Sequence, residues 1–300
     1  MRPEDFAIAD SFHTHVGIDP RATHEELAVA AGIVSRKELA RMGFVTDRQI
    51  RAGIQTRQFT RIAHGRYALP HAHANARTAA RHNARVTCLS ACEMYGLWVP
   101  KQSELHVAIR RSSPLPAGSS LIFHRTGQIP AAPIVDVYSA LAQVCSCADP
   151  ETALIILESA MNQQLVTLDD LPQLTANAPL KAKKILHRAI ATSQSGSETR
   201  VRNFFHSRRV PVRSQVQIPS VGFVDLLVGS SLIAECDSLA YHSRPADYHR
   251  DRVRDAHTRL LGYTVIRLSY DQIWHDWDNT KHLLQRVIRT RQHLRPPTPI

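Results

Sequence analysis

Long apolar stretches are missing from this 300-residue sequence. It has no run of roughly 18 apolar residues, which excludes an ordinary membrane-spanning helix. The first ten residues, MRPEDFAIAD, carry acidic side chains where a secretory signal would have its apolar segment. We therefore expect a soluble protein that stays in the cytoplasm and has no membrane partner.

Cysteine is scarce, with five residues in the chain. A small, odd number of cysteines gives no disulfide framework. Cys88 and Cys92 are one helical turn apart, and Cys145 and Cys147 lack the two-residue gap that is typical of zinc knuckles. The sequence thus predicts reduced cysteines in the core or on the surface, and it argues against a structural zinc site.

Lysine is also rare, so most of the 37 cationic residues are arginines, which suit bidentate phosphate contacts. The net charge of +11 is uneven: residues 1–84 hold 12 cations against 8 acids, residues 85–192 hold 9 against 8, and residues 193–300 hold 16 against 10. Two basic ends indicate contact with a polyanion such as DNA. A high-GC genome explains the arginine content as well, so charge alone decides little.

The segment Phe223 to Asp237, FVDLLVGSSLIAECD, has two apolar runs around a Gly-Ser-Ser turn and predicts a β-hairpin. If the turn is centred on Ser230, Asp225 and Glu235 lie opposite each other on neighbouring strands. Because side chains alternate between faces, Asp237 shares their face. The opposite face is then formed by Val224, Leu226, Ala234 and Cys236.

Facing carboxylates among apolar residues are unfavourable unless something neutralises them. A hard cation, Mg²⁺ or Mn²⁺, bound by Asp225, Glu235 and the carbonyl of Cys236 would do so. The alternative is a partly solvated edge hairpin with ordinary surface acids. We interpret the segment as a metal site, since three acids on one face of an apolar hairpin are otherwise hard to explain.

Residues 25–70 predict a winged helix, with three helices followed by two strands. A helical pattern starts at His24, a capping box joins Ser35 to Glu38, and a third helix starts at Thr46. The strands run from Gln58 to Ala63 and from Arg66 to Leu69. In this fold the third helix enters the major groove, where Arg and Gln pair with base edges. The candidate DNA contacts are Arg48, Gln49, Arg51, Gln55 and Arg57 on the helix, and Arg61 and Arg66 on the wing. Short basic helices also occur in proteins that bind only other proteins.

The segments GIVSRKELARMG and FTRIAHGRYALP resemble the N-terminal domain of abortive-infection antitoxins of type IV toxin–antitoxin systems. The resemblance covers about residues 25–70 and implies a DNA-binding domain used in autoregulation. The segments LSACEMYGL and ELHVAIRR in residues 71–192 are similar to the part that follows the wing in the same proteins. That middle part shows no cluster of catalytic residue types, so we assign it a linking and scaffold role.

The C-terminal third opens with a capping box from Ser195 to Glu198 and an amphipathic helix. Its apolar face holds Val201, Phe204 and Phe205, and the arginines expected to stay in solvent are Arg200, Arg202, Arg208 and Arg209. The helix is followed by a strand and by the hairpin. Then come a helix from about Pro245 to Leu261, a strand from Thr264 to Leu268 and a closing helix. This order is the core of the PD-(D/E)XK nuclease fold.

Residues 195–290 resemble the very-short-patch-repair-like endonuclease domain. The resemblance depends on Ser195 to Glu198, Val224-Asp225, Glu235 to Asp237, Tyr241-His242, Arg250 to Asp255 and Leu261 to Arg267. It implies that His242 acts as general base or leaving-group acid. In the mechanism that we expect, Asp237 orients His242 or binds a second ion, and Glu198 reaches the metal through water. Arg250 and Arg254 would hold phosphates, or else pair with neighbouring acids.

Two residues depart from the nuclease pattern. The signature Glu-x-Lys is Glu235-Cys236-Asp237, so no lysine is available there to activate water. Ser238 follows where the resembled family commonly has Gly. These departures favour an alternative function, a non-catalytic antitoxin-type regulator with a degenerate nuclease fold.

The sequence therefore predicts an α/β protein (α+β overall) with a winged helix, an α+β middle domain and a restriction-endonuclease-like mixed sheet flanked by helices. The predicted divisions are a flexible arm at 1–24, the winged helix at 25–70, the scaffold at 71–192, the endonuclease-like domain at 193–292 and a tail at 293–300. The predicted function is metal-dependent DNA cleavage. The sequence does not determine the target sequence or whether DNA or RNA is cut. It also leaves the oligomeric state open, and a homodimer is one of the possibilities.

Overall fold

The computed structural model describes residues 17–115, 120–237, 253–254 and 256–299. The chain divides into two compact units, the first ending at Ala189 and the second including everything described from Ile190 onward. Both units mix helices with strands, which confirms the predicted α/β class. Among these residues no helix is both long and apolar enough to cross a bilayer. Most of the predicted N-terminal arm lies outside the described residues.

The first unit begins with three short helices and a small sheet. Their bounds are α1 (His24–Ala30), β1 (Ile33–Ser35), α2 (Arg36–Arg41), α3 (Asp47–Gln55), β2 (Thr60–Ala63) and β3 (Arg66–Ala68). Capping boxes at Thr23, Ser35 and Thr46 start the helices. The strands are antiparallel in the order β1-β3-β2. The predicted three helices and two strands are present, and the sequence missed only β1, because three residues are too few for an alternation pattern.

The rest of the first unit packs helices against a second three-stranded sheet. The elements are α4 (Ala74–Arg81), β4 (Arg85–Val86), α5 (Cys88–Met94), β5 (Leu105–Arg110), β6 (Leu121–Thr126), α6 (Val137–Cys147), α7 (Pro150–Asn162), a 3₁₀ turn (Leu168–Asp170), α8 (Leu171–Leu174) and α9 (Leu180–Leu186). The order is β4-β5-β6, with β5 parallel to β6. Helix α5 is almost entirely buried. Helix α6 packs against α5, and α7 packs against α6, in one continuous core. This core holds the ends of α5 and α6 close to β5.

The second unit contains a four-stranded mixed sheet. Its elements are α10 (Gly196–Ser207), β7 (Val212–Ile218), β8 (Gly222–Val228), β9 (Leu232–Asp237), β10 (Thr264–Ser269), α11 (Tyr270–Trp274), α12 (Trp277–Arg289) and a 3₁₀ turn (Gln292–Leu294). The order is β10-β9-β8-β7, in which β7, β8 and β9 are antiparallel and β10 is parallel to β9. Residues 253–254 and 256–260, the described part of the predicted helix before β10, are helical.

One expectation about α10 is wrong. Arg202 was expected to stay in solvent, but it is only 2% exposed. Helix α10 contacts the sheet and α11, and eight of its twelve residues are buried, so more than one face of the helix is covered. Arg200 is likewise partly covered, because its guanidinium lies 4.6 Å from the ring centroid of Trp274 and 4.8 Å from that of Trp277.

Candidate functional site

The β8–β9 hairpin turns where the sequence predicts. Leu226 pairs with Ala234 and Val228 with Leu232, which centres the hairpin on Ser230. Gly229 has a φ of +60°, and a Cβ at this position would lie 2.1 Å from the carbonyl oxygen of His293. The turn therefore requires glycine, and it fixes which residues of the two strands face each other.

Asp225 and Glu235 contact each other just beyond the paired part of the hairpin. The main-chain N–H of Asp225 donates to Glu235 Oε2 over 3.2 Å. Asp225 Oδ2 accepts from the main-chain N–H of Cys236 over 2.8 Å. Glu235 is only 9% exposed, and Asp225 is half-buried. The two acids are therefore close together at the edge of an apolar hairpin.

The side-chain alternation predicted for the opposite face holds only in part. Leu226 and Ala234 lie in one core cluster with Cys236 packed against it, as expected. Val224 lies instead in the cluster that contains Leu227 and Ile233, so its predicted face is wrong. The change occurs beside Gln215 of β7, whose φ of +51° interrupts the regular strand.

Glu198 brings a third carboxylate to the hairpin acids from the first turn of α10. Its main-chain N–H donates to the Ser195 hydroxyl at 3.2 Å, and Glu198 Oε1 accepts from that hydroxyl at the same distance. Glu198 Oε2 accepts from the N–H of Gln194 at 3.1 Å and from Gln215 Nε2 at 3.0 Å. Gln215 Nε2 also lies 3.5 Å from Asp225 Oδ1. Glu198 is thus more than a capping residue, and Gln215, which the sequence did not single out, joins it to Asp225.

Burial and repulsion from a neighbouring carboxylate raise the pKa values of two of these acids towards neutral pH. Burial, and then the charge of Asp225, raise the pKa of Glu198 to about 7. The pKa of Glu235 is raised to about 7 by the same two causes, although Arg254 opposes the shift. Each carboxyl can therefore hold or release a proton near neutral pH, which is common at functional sites and rare on open surfaces.

Arg254 contacts Glu235. Its Nη2 lies 2.9 Å from Glu235 Oε1, and the same nitrogen donates to the carbonyl oxygen of Phe223. The side chain of Arg254 is 32% exposed, against 11% for Glu235. Arg254, predicted to hold phosphate, therefore lies at the rim of the acidic site as the cation nearest Glu235 among the described residues.

The carboxylate oxygens of this site are of the chemical type that binds a hard cation, but their present positions do not form a complete binding site. Glu198, Asp225 and Glu235 offer carboxylate oxygens, which Mg²⁺ and Mn²⁺ prefer. However, the three acids do not form a group whose ligand atoms all lie within 4.8 Å of one another. Metal binding by Asp225 and Glu235 would require Glu235 to exchange Arg254 for the ion. Asp237 is half-buried at the end of β9, and the predicted residues His242 and Arg250 lie outside the described residues.

The face of α3 that was predicted to read DNA is exposed. Arg48, Arg51 and Arg61 all point to solvent. Gln49 is exposed too, but its side-chain oxygen accepts from the main-chain N–H groups of Val45, at 3.1 Å, and Thr46, at 2.8 Å. Gln49 therefore caps α3, which restricts it as a base-reading residue.

Arg66, the other predicted wing residue, lies in a cleft that is lined by several arginines. Its Nη1 donates to the carbonyl oxygen of Ala131 at 3.2 Å. Arg66 lines a cavity of about 460 Å³ together with Arg85 and Arg110. Burial, and then the charges of Arg66 and Arg110, lower the pKa of Arg85 to about 10. This local excess of positive charge favours an anion.

A second group of reactive side chains lies in the first unit and was missed by the sequence analysis. Cys88, His106, His124 and Cys147 place one sulfur or nitrogen each within 4.8 Å of one another. All five cysteines are free, as predicted. The pKa of the Cys147 thiol is lowered, first by a hydrogen bond with Cys88 and then by bonds with His106 and His124. The spacing of the cysteines alone gave no sign of this group, because two of its members are histidines on neighbouring strands.

Comparison with known proteins gives no family. No family model matches this chain, and neither does any curated protein. The resemblances to an antitoxin winged helix and to a repair endonuclease therefore remain predictions that depend on short motifs.

Proposed function

We propose that this chain is a metal-dependent endonuclease that hydrolyses phosphodiester bonds in DNA in the cytoplasm. The observation that carries the proposal is the convergence of Glu198, Asp225 and Glu235 from a helix and two strands. Two of these acids have pKa values near 7. Buried acids that repel one another cost stability, and such an arrangement is retained where it binds a cation or moves a proton.

Asp225, Glu235 and the carbonyl of Cys236 would hold Mg²⁺ or Mn²⁺. When bound, the ion supplies Lewis-acid polarisation of a phosphoryl oxygen and a lowered pKa for attacking water. Glu198 would orient water next to the ion, since it is fixed by Ser195, Gln194 and Gln215. His242 as general base and Asp237 as the residue that orients it complete the proposed set.

Arg254 would supply the positive charge that the absent lysine provides in the nuclease signature. It lies 2.9 Å from Glu235 and is one-third exposed, so it can exchange that carboxylate for a substrate phosphate. Arg250 is proposed for the same role. An arginine gives two parallel hydrogen bonds to phosphate, which a lysine cannot.

The first unit would bring the protein to DNA. Arg48 and Arg51 on α3 and Arg61 on the wing are exposed, and Arg66 lines the basic cleft. Gln49 is assigned mainly to capping, with its amide nitrogen left for a contact. Contacts of this kind to phosphates give affinity without sequence information.

A second candidate function is a non-catalytic, antitoxin-type regulator. The ion pair between Arg254 and Glu235 favours it, as does the hydrogen bond from Cys236 to Asp225, because together they satisfy both acids without a metal. The absence of a lysine after Glu235 is consistent with lost turnover. The two candidates make opposite statements about cleavage.

Nicking of supercoiled plasmid in Mg²⁺ or Mn²⁺ separates them. The wild-type chain should convert plasmid to the open circle, and Asp225→Asn should reduce the rate by roughly 100-fold or more, the scale of losing a group that acts on the transition state. Asp169→Asn, which changes an exposed carboxylate in the other unit, is the matched control and should cleave like wild type. If wild type binds plasmid but never nicks it, the regulator is the better description.

A further inference from the structure

Two cysteines and two histidines meet in the first unit, remote in sequence from the acidic site. Cys88 is the first residue of α5, and Cys147 is the last residue of α6. His106 lies on β5 and His124 on β6. Because Ala108 is the register partner of His124, the two histidines project from the same face of this parallel pair. Four different elements therefore each contribute one side chain.

Two distances between these groups are close to those expected in a tetrahedral metal site. His106 Nδ1 lies 3.1 Å from His124 Nε2 and 3.9 Å from Cys147 Sγ. Bond lengths of about 2.05 Å to nitrogen and about 2.3 Å to sulfur, at tetrahedral angles, separate two nitrogens by about 3.3 Å and a nitrogen and a sulfur by about 3.6 Å. All four donor atoms lie within 4.8 Å of one another, so small side-chain rotations would close the site.

A network without metal satisfies these groups less well. His106 Nδ1 faces both a nitrogen and a sulfur, and it can donate one proton to only one of them. Thiols are weak donors and weak acceptors, and Cys88 is fully buried. Cys88 also adopts a φ of +53°, a costly conformation for a residue other than glycine. A cation that accepts electron pairs from two thiolates and two imidazoles would satisfy all four groups at once.

The site has an entry route and a full ligand set. His106 and Cys147 line an open cavity of about 500 Å³, and Cys147 is exposed while Cys88 is fully buried. An ion can therefore arrive from solvent and be held between the surface and the core. Four protein ligands leave no open position for water, which is typical of structural zinc rather than catalytic zinc. Thiolate and imidazole ligands in tetrahedral geometry select zinc over Mg²⁺ or Mn²⁺.

We propose that Cys88, His106, His124 and Cys147 bind one structural Zn²⁺ ion. The ion joins the start of α5 and the end of α6 to the β5–β6 pair, four elements that follow one another along the chain. Its four ligands belong to the first unit and the three carboxylates belong to the second, and the zinc proposal does not depend on nuclease activity. The chain would therefore hold two metals of different chemistry, zinc in the first unit and a hard cation in the second.

Metal analysis of the full-length chain, purified under reducing conditions, tests this proposal. Wild type should contain one equivalent of zinc after dialysis against metal-free buffer. Cys147→Ser and His124→Asn should lower the bound zinc by roughly tenfold or more. Cys145→Ala is the matched control, since Cys145 lies in the same helix outside the cluster, and it should keep the full equivalent.

A second measurement keeps the proposal falsifiable if the variants misfold. Co²⁺ titrated into the reduced, zinc-stripped wild type should give the intense visible absorption of tetrahedral cobalt together with a thiolate charge-transfer band. Zn²⁺ should then displace it. Reduced wild type that takes up neither ion, or a Cys147→Ser variant that retains as much zinc as wild type, would overturn the assignment.

Discussion

Arg254 Nη2 lies 2.9 Å from Glu235 Oε1, and this ion pair is where the two candidate functions diverge. When the ion pair is formed, Arg254 neutralises Glu235 and the hairpin does not need a metal ion to balance its charge. With the pair open, Glu235 and Asp225 face the same space and Arg254 is free to hold an anion. The nuclease proposal therefore requires a contact that can exchange, and the regulator proposal requires one that persists.

Removing Arg254 should destabilise the metal-free protein. Arg254→Gln leaves Glu235 buried without its cation, and the loss of one partner of a largely buried pair costs about 1–3 kcal/mol once the exposure of Arg254 is allowed for. Urea unfolding in a chelating buffer at neutral pH measures it. Arg259→Gln, which changes an exposed arginine five positions further along the chain, should leave the free energy of unfolding within about 0.5 kcal/mol of the wild-type value. Equal effects in the two variants would mean that the ion pair is not formed.

Glu198→Gln should stabilise the protein at alkaline pH. The pKa of Glu198 is raised from 4.5 to about 7 in the folded state, so the folded state holds this proton more tightly than the unfolded state. The resulting stability is present below about pH 4.5 and is lost as pH rises through about 7. Gln keeps a neutral side chain throughout, so the variant should exceed wild type by about 1–3 kcal/mol near pH 8 and converge with it near pH 5.

Denaturant unfolding at a series of pH values checks this, with Glu104→Gln as the control. Glu104 is fully exposed and hydrogen bonds with Ser103 lower its pKa, so its replacement should give no gain at alkaline pH. A Glu198→Gln variant that is less stable than wild type near pH 8 would show that Glu198 is charged and favourably paired in the folded protein.

The basic surface of α3 should set the salt dependence of DNA binding. Replacing Arg48 and Arg51 together with Gln removes up to two phosphate contacts, so the slope of log affinity against log salt should become shallower by about 1.8. Fluorescence anisotropy with a random-sequence duplex measures it. Arg111→Gln, an exposed arginine at the end of the β5 strand, should leave the slope unchanged. An unaltered slope in the double variant would place DNA elsewhere.

The hairpin could be predicted from the sequence because its signals are local. The Gly-Ser-Ser turn and the alternation of apolar residues determine the register, and the register brings Asp225 and Glu235 together. Glu198 was identified because the segment Ser195 to Glu198 resembles the endonuclease domain, although its bond with Gln215 depends on how α10 packs against β7. The face of Val224 could not be predicted, because the positive φ of Gln215 on the neighbouring strand has no sequence signature.

The Cys/His group could not be predicted because its signals are not local. Cys88 and Cys147 stand at the ends of two helices, and the histidines are joined only by the parallel register of β5 and β6. No spacing rule covers four ligands on four elements. The prediction that Arg202 is exposed was wrong for a similar reason. Periodicity identifies one apolar face of a helix, but it cannot show that neighbouring elements also cover another face.

A crystal structure with Mn²⁺ tests the central claim most directly, because anomalous scattering locates the ion independently of activity. We expect an anomalous peak about 2.1–2.2 Å from oxygens of both Asp225 and Glu235, with Arg254 moved away from Glu235. A peak at the Cys/His group alone would not count. Fully soaked crystals with no peak between the hairpin acids, and with Arg254 still bonded to Glu235, would contradict the nuclease proposal.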